Sequence, residues 1–289
     1  MRGARVAGTL GLCSLLLAPL LARGAADAPV VDAVSRVGAY VERYYSRAQS
    51  IVAQETVILQ PLRSDLGADG FARRLVYELR VEWNPDAPPD QRATVVRELL
   101  TARGPELGSP KQPDCLDPKP ISPEPLAILL PGQREQFTAR IGGAARVNGR
   151  AAVVLDFKPA ARKPPPPRAD FDRECGTFDL PGRSAIRVVA DAETAEVLKY
   201  EERLVSMTDI QVPRDWQTFG RSAYLTIERA DMTINYESVR FDDPEERLLL
   251  PSRIDSVVVM RNSGMPRLRT TQTYSNYRRY VTGGRLVVP

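Results

Sequence analysis

Across residues 72–84 apolar and polar side chains alternate at most positions. Leu75, Tyr77, Leu79, Val81 and Trp83 share one parity, while Arg74, Glu78, Arg80 and Glu82 occupy the other. A period of two marks a β-strand with one buried face. At about 3.3 Å per residue this segment spans about 43 Å. Ordinary strands hold about five or six residues. A strand this long predicts a large, curved antiparallel sheet.

The same period recurs along the chain. Residues 51–62, 93–101, 136–141, 151–157, 186–190 and 197–205 read as strands. Asn148-Gly149 is a hairpin turn, and residues 191–194 form another turn. In residues 223–236 the apolar parity slips, from Leu225 and Ile227 to Met232, Ile234 and Tyr236. A bulge near Ala230 explains the slip. A polar turn at 242–246 precedes a final hairpin of residues 253–261 and 266–280 around Asn262-Ser263-Gly264. Ser122 is placed to cap a short helix over 123–130. Four consecutive prolines, Pro164 to Pro167, mark residues 158–172 as an extended loop, since proline donates nothing to a ladder.

Only one long helix is expected, from Pro29 to about Ser50. Val30, Val34, Val37, Val41, Tyr44 and Ala48 follow one another at alternating spacings of four and three, which sets them on one stripe. Asp32, Arg36, Arg43 and Arg47 fall elsewhere. The stripe predicts packing onto a sheet. The fold class expected is mainly β (α+β): a large curved antiparallel sheet or half-open barrel, with an N-terminal helix and one short mid-chain helix.

The first residues read as a secretory signal peptide. Arg2 and Arg5 precede an uncharged run from Val6 to Leu21, and Gly24-Ala25-Ala26 supplies small residues for a peptidase. Cleavage is expected between Ala26 and Asp27, leaving residues 27–289 as a single β-rich domain. Removal of residues 1–26 takes three arginines and no acids, so 37 basic side chains face 36 acidic ones. That balance gives no electrostatic case for nucleic acid. No later segment is long and apolar enough to span a bilayer. Cys115 and Cys175 remain, an even number, which in an oxidising compartment points to a disulfide.

The composition restricts chemistry. The chain has no histidine, which removes Ser-His-Asp and Cys-His nucleophile systems and most zinc and iron sites. It carries no phosphate loop and no dinucleotide-binding glycine motif. Carboxylates remain as a route to catalysis, but none of the 36 acids is singled out as a pair. Asp170, Asp172 and Glu174 alternate like the start of a calcium loop, yet Cys175 and Pro181 stand where that loop needs Gly and Glu. No catalytic residue, metal or cofactor is therefore expected.

The apolar strand faces are the remaining resource. Tyr77, Leu79, Val81 and Trp83, with Leu225, Ile227, Ile254, Val258 and Met260, either form ordinary core under the helix or line a ligand cavity. A large curved sheet with few helices leaves its concave side filled by side chains or open to a ligand.

Three stretches carry a resemblance: F-T-A-R-I to G-R-A-A-V-V-L-D-F (Phe137 to Phe157), I-R-V-V-A-D-A-E-T-A-E-V-L-K-Y-E (Ile186 to Glu201), and L-L-P-S-R-I with T-Y-S-N-Y-R-R-Y (Leu249 to Ile254, Thr273 to Tyr280). The layout resembles the lipoprotein-carrier-like fold, shared by periplasmic lipoprotein carriers and the amino-terminal domain of anti-sigma-regulating periplasmic sensors. The last two stretches also resemble exported proteins of soil-type bacteria. The resemblance implies an incomplete barrel whose concave face takes acyl chains or a partner segment. The function expected is periplasmic or secreted, non-catalytic binding of a lipid or lipoprotein. The alternatives are an interaction or sensor module for an envelope protein and, more distantly, a carboxylate-based hydrolase.

Overall fold

The computed structural model describes residues 20–48, 51–83, 93–106, 124–161, 164–171, 176–217, 223–242, 245–262 and 267–279. Helix α1 (Leu20–Arg47) comes first. It begins earlier than its apolar stripe and contains Pro29, at the cost of one backbone hydrogen bond. The expected cleavage point at Ala26 and Asp27 falls within it. Val34, Val37, Val41, Tyr44 and Ala48 are all buried, so the stripe is the packed face.

Strands β1 (Ile51–Leu62), β2 (Arg73–Trp83) and β3 (Ala93–Arg103) follow. The chain then makes a short 3₁₀ helix, Glu124–Leu129, where the sequence predicts helix. Next come β4 (Phe137–Val147), β5 (Arg150–Pro159), β6 (Arg168–Phe171), β7 (Gly176–Asp179), β8 (Ser184–Asp191), β9 (Val197–Leu204) and β10 (Thr208–Gln211). The last three strands are the longest: β11 (Tyr224–Asp242), β12 (Glu245–Arg261) and β13 (Arg267–Arg279).

Eleven strands form one antiparallel sheet in the order β3-β2-β1-β13-β12-β11-β9-β8-β5-β4, with β10 pairing β11 beside that path. The sheet does not close, and its curvature makes a half-open barrel. Strand β13 joins β1 to β12, so the start and the end of the chain meet mid-sheet.

One turn and two of the bulges explain the local pairing. Asn148 and Gly149 both have positive φ, +48° and +80°, the mark of the turn that suits a tight hairpin. On β11 the register jumps between Ile227 and Arg229, two residues before the expected position, and this produces the parity slip. A second jump, between Asn235 and Tyr236, leaves Ser252 of β12 extra beside Pro251. That bulge lets β12 run through Pro251, so β12 starts at Glu245 rather than at Arg253 and the polar turn is shorter than expected. Within the stretch read as a loop, β5 reaches Pro159 and Arg168–Phe171 pairs with β7 in a separate two-stranded sheet. The prolines themselves, Pro164 to Pro167, stay outside any strand.

One row of cross-strand partners runs across ten strands. Its members are Ala102, Leu75, Val57, Gln272, Ile254, Ile234, Tyr200, Val188, Leu155 and Ile141. The eight between Leu75 and Leu155 are each no more than 3% exposed. Directly opposed side chains share a face, so this row defines the inner face of the sheet.

Candidate functional site

The inner face divides into two zones. Over the β4 to β12 side, Val34, Val37, Val41, Tyr44 and Tyr45 of α1, with Leu126 and Leu129, pack onto Leu155, Phe157, Val188, Tyr200, Ile234 and Ile254. Gly38 makes this roof close: a Cβ there would stand 2.7 Å from the carbonyl oxygen of Leu129. On the β1, β2 and β13 side lies a separate cluster of Val57, Leu59, Leu75, Tyr77 and Leu268, and among the described residues no helix residue belongs to it. A third cluster, Ile210, Leu225 and Ile227, packs with Phe178 and Leu180 near the two-stranded sheet and with Met260.

Polar groups bracket the second cluster. Glu55 is fully buried on β1, on the same parity as Val57 and Leu59. Its Oε2 accepts a hydrogen bond from Nε of Arg97 on β3 at 2.8 Å. Its Oε1 accepts from Nε2 of Gln272 at 2.8 Å and from the hydroxyl of Tyr274 at 3.1 Å. The Arg97 guanidinium lies 3.9 Å over the ring of Tyr77, a favourable cation–π geometry. Burial, and then the Glu55 charge, push the Tyr274 phenol well above its ordinary pKa, so it stays a donor. Thus a carboxylate buried in an apolar face has donors on both oxygens, as burial of a charge requires.

At the other end of the same cluster stands Arg73, opposite Leu59 and two residues before Leu75. It is 7% exposed, and its Nη1 is buried with no hydrogen-bond partner. Burial alternates along β2, with residues 73, 75, 77 and 79 buried and Arg74 and Arg80 exposed. Arg73 therefore belongs to the apolar face.

Tyrosines line the boundary between the zones. Tyr44 and Tyr45 of α1 meet Tyr236 and Tyr277, and burial holds the phenols of Tyr44, Tyr236 and Tyr277 protonated well past neutral pH. The Tyr277 hydroxyl donates to the carbonyl oxygen of Pro251 at 2.5 Å.

The sequence-predicted ligand residues are distributed over all three clusters. Tyr77 lies in the helix-free cluster, Ile254 under the roof, and Leu225, Ile227 and Met260 in the third. Leu79 is buried on β2, and Val258 is half-buried opposite Leu268. The side chains of Val81 and Trp83 lie outside the described residues, as do Cys115 and Cys175. Among the described residues no group of His, Cys, Asp or Glu could hold a metal ion, and no helix is long and apolar enough to cross a membrane. Sequence reasoning missed Glu55, Arg73 and Arg97. The signal was present for the first two, since each is a charge on the apolar parity of its strand.

No protein-family model and no curated protein sequence matches the chain. Solved structures do. A candidate outer membrane lipoprotein-sorting protein domain from Vibrio parahaemolyticus aligns at TM-score 0.37 and 13% identity, over 87% of this chain and 95% of that one. A DUF1329 family protein from Desulfovibrio piger aligns at TM-score 0.41 and 9% identity, over 88% and 94%. A LolA superfamily protein from Nitrosomonas europaea aligns at TM-score 0.32 and 10% identity, over 87% and 97%.

Proposed function

We propose that this is an exported, non-catalytic binding protein that takes the apolar chain of a lipid or lipidated partner on the inner face of its half-open barrel. The observation that supports this reading is the division of that face. Helix α1 packs on one part of it, and among the described residues the cluster of Val57, Leu59, Leu75, Tyr77 and Leu268 contains no helix residue. Leu79 would extend the lining along β2, and Val258 and Met260 along β12. Leu225 and Ile227 would complete it on β11. These residues are packed in the structure, so a ligand exchanges one apolar contact for another. The gain is transfer of the ligand's own chain out of water, on the order of 8 kcal/mol for ten methylenes before the cost of immobilisation. In the oxidising compartment this reading implies, Cys115 and Cys175 would pair.

The test is mass spectrometry of the protein isolated natively from the cell envelope, followed by titration of the delipidated protein with a fluorescent fatty acid. Co-purifying lipid and saturable uptake are expected. Protein that carries no lipid and takes up no probe would overturn the reading.

A second reading, an envelope polypeptide added as a strand to the β3 edge, is favoured by one observation. Val96, Leu99 and Leu100 are each about half exposed, at 51%, 50% and 49%, on a strand that pairs only with β2 among the described residues. Leu100 also lines a groove of 400 Å³ with Gln54, Glu78, Asn276 and Arg278. Capture of one envelope protein by the wild type, lost in Val96→Lys/Leu100→Lys with fatty-acid uptake intact, would establish it.

A further inference from the structure

Arg73 sets an electrostatic problem that the chain itself does not solve. Its side chain packs on an apolar sheet face at 7% exposure, and Nη1 is buried with no hydrogen-bond partner. No ion pair among the described residues includes it. The other buried arginine of that face, Arg97, has the Glu55 carboxylate at 2.8 Å. A charge removed from water without a counter-charge is destabilising, and neutralisation is not open to a guanidinium. The position is also fixed. Gly104, at φ +95°, lies so close to the start of β2 that a Cβ would stand 2.5 Å from the Ala72 carbonyl oxygen and 3.2 Å from Arg73 Cα.

We infer that Arg73 is the anion-binding end of the inner-face site, and that the ligand is an amphiphile with one acidic headgroup and an acyl chain. The headgroup oxygen takes the free Nη1 donor, and the chain lies along Leu59, Leu75 and Val57. This inference rests on the apolar-binding reading above and adds the headgroup class to it. The chemistry is that of a fatty-acid carboxylate or a lipid phosphate, because a guanidinium presents parallel donors that match either group. Occupation supplies the missing counter-charge, so the ligand is recognised by what the apo protein lacks.

Calorimetric titration of the purified, delipidated protein with dodecanoate, dodecan-1-ol and acetate tests this. We expect dodecanoate to bind at least about tenfold tighter than the alcohol, the scale of one charge-assisted hydrogen bond. Acetate, which lacks the chain, should not displace it at equal concentration. In Arg73→Met the two long-chain ligands should bind within about twofold of each other. Equal binding of acid and alcohol by the wild type would overturn the headgroup assignment and leave apolar binding intact. Failure to bind either would overturn both. Retention of the acid preference by Arg73→Met, or displacement by acetate, would also refute it. Arg73→Met should melt at or above the wild-type temperature without ligand. A variant that fails to fold would show that the guanidinium is structural, and would overturn the inference.

Discussion

Gln272 of the last strand donates to the buried carboxylate of Glu55 in the first, Nε2 to Oε1, at 2.8 Å. The other oxygen of that carboxylate is held by Arg97 from the edge strand β3. A single acidic side chain thus ties three strands together on a largely apolar face.

Replacement of Glu55 by Leu should therefore cost about 3–5 kcal/mol, because Arg97 loses its counter-charge while remaining mostly buried. The double variant Glu55→Leu/Arg97→Met should recover most of that loss. Urea unfolding of the four proteins gives the coupling directly, and a single-variant loss under about 1 kcal/mol would contradict the expectation.

Acid sensitivity should come partly from Asp191. Burial acts to raise its pKa, but the amides of Thr194 and Glu193 and the guanidinium of Arg150 outweigh it, and the carboxyl falls to about 2. A depressed native pKa means stability that is present above the unfolded value near 4 and lost as pH falls toward 2. Asp191→Asn should remove about 2 kcal/mol at neutral pH and flatten the stability curve across that window. Asp156, lowered chiefly by its hydrogen bond from Arg187, should add to the slope in both proteins. Denaturant midpoints at pH 2.5, 4 and 7 would check this.

Gly38→Ala reverses the usual rule for helices. Alanine favours helix by about 1 kcal/mol over glycine, but here the new methyl would meet the Leu129 carbonyl oxygen at 2.7 Å. The roof must shift, and a net loss of about 1–3 kcal/mol is expected. A thermal melt above the wild-type value would show that the helix packs less closely than described.

Ile234 is fully buried at the centre of the cross-strand row, whereas Leu99 is 50% exposed on the edge. Ile234→Ala should cost about 3–4 kcal/mol, and Leu99→Ala no more than about 0.5 kcal/mol. Comparable losses in both would mean that the edge is covered in solution.

Strand existence was legible wherever apolar residues alternated. Residues 51–62 became β1 with the same limits, and the stripe from Val34 to Ala48 became the buried side of α1. Features that depend on a partner strand were harder to read. The strand expected from residue 253 starts at Glu245 instead, because the bulge at Ser252 is a property of the β11–β12 pairing. The two short strands β6 and β7 have too few residues to show a period. The candidate site was half legible. Tyr77 and Leu79 sit on the face expected, but the clustering of apolar residues follows strand order, which links Val57 to Leu268 across more than two hundred positions. Arg97 carries no sequence signal, because only its register places it beside Glu55.

The placement of β13 fixes the order of events during biogenesis. Strands β1 to β3 are made first, yet among the described strands only the last bridges them to the rest of the sheet. A chain emerging from the ribosome would carry its opening strands unsatisfied along one side until synthesis was nearly complete. Contacts of such long range form slowly, and a nascent sheet edge invites wrong partners meanwhile. Truncation before residue 267 should therefore do more than shorten the protein: it should separate the opening three strands from the remaining sheet, leaving two fragments with raw edges for proteases and holding chaperones.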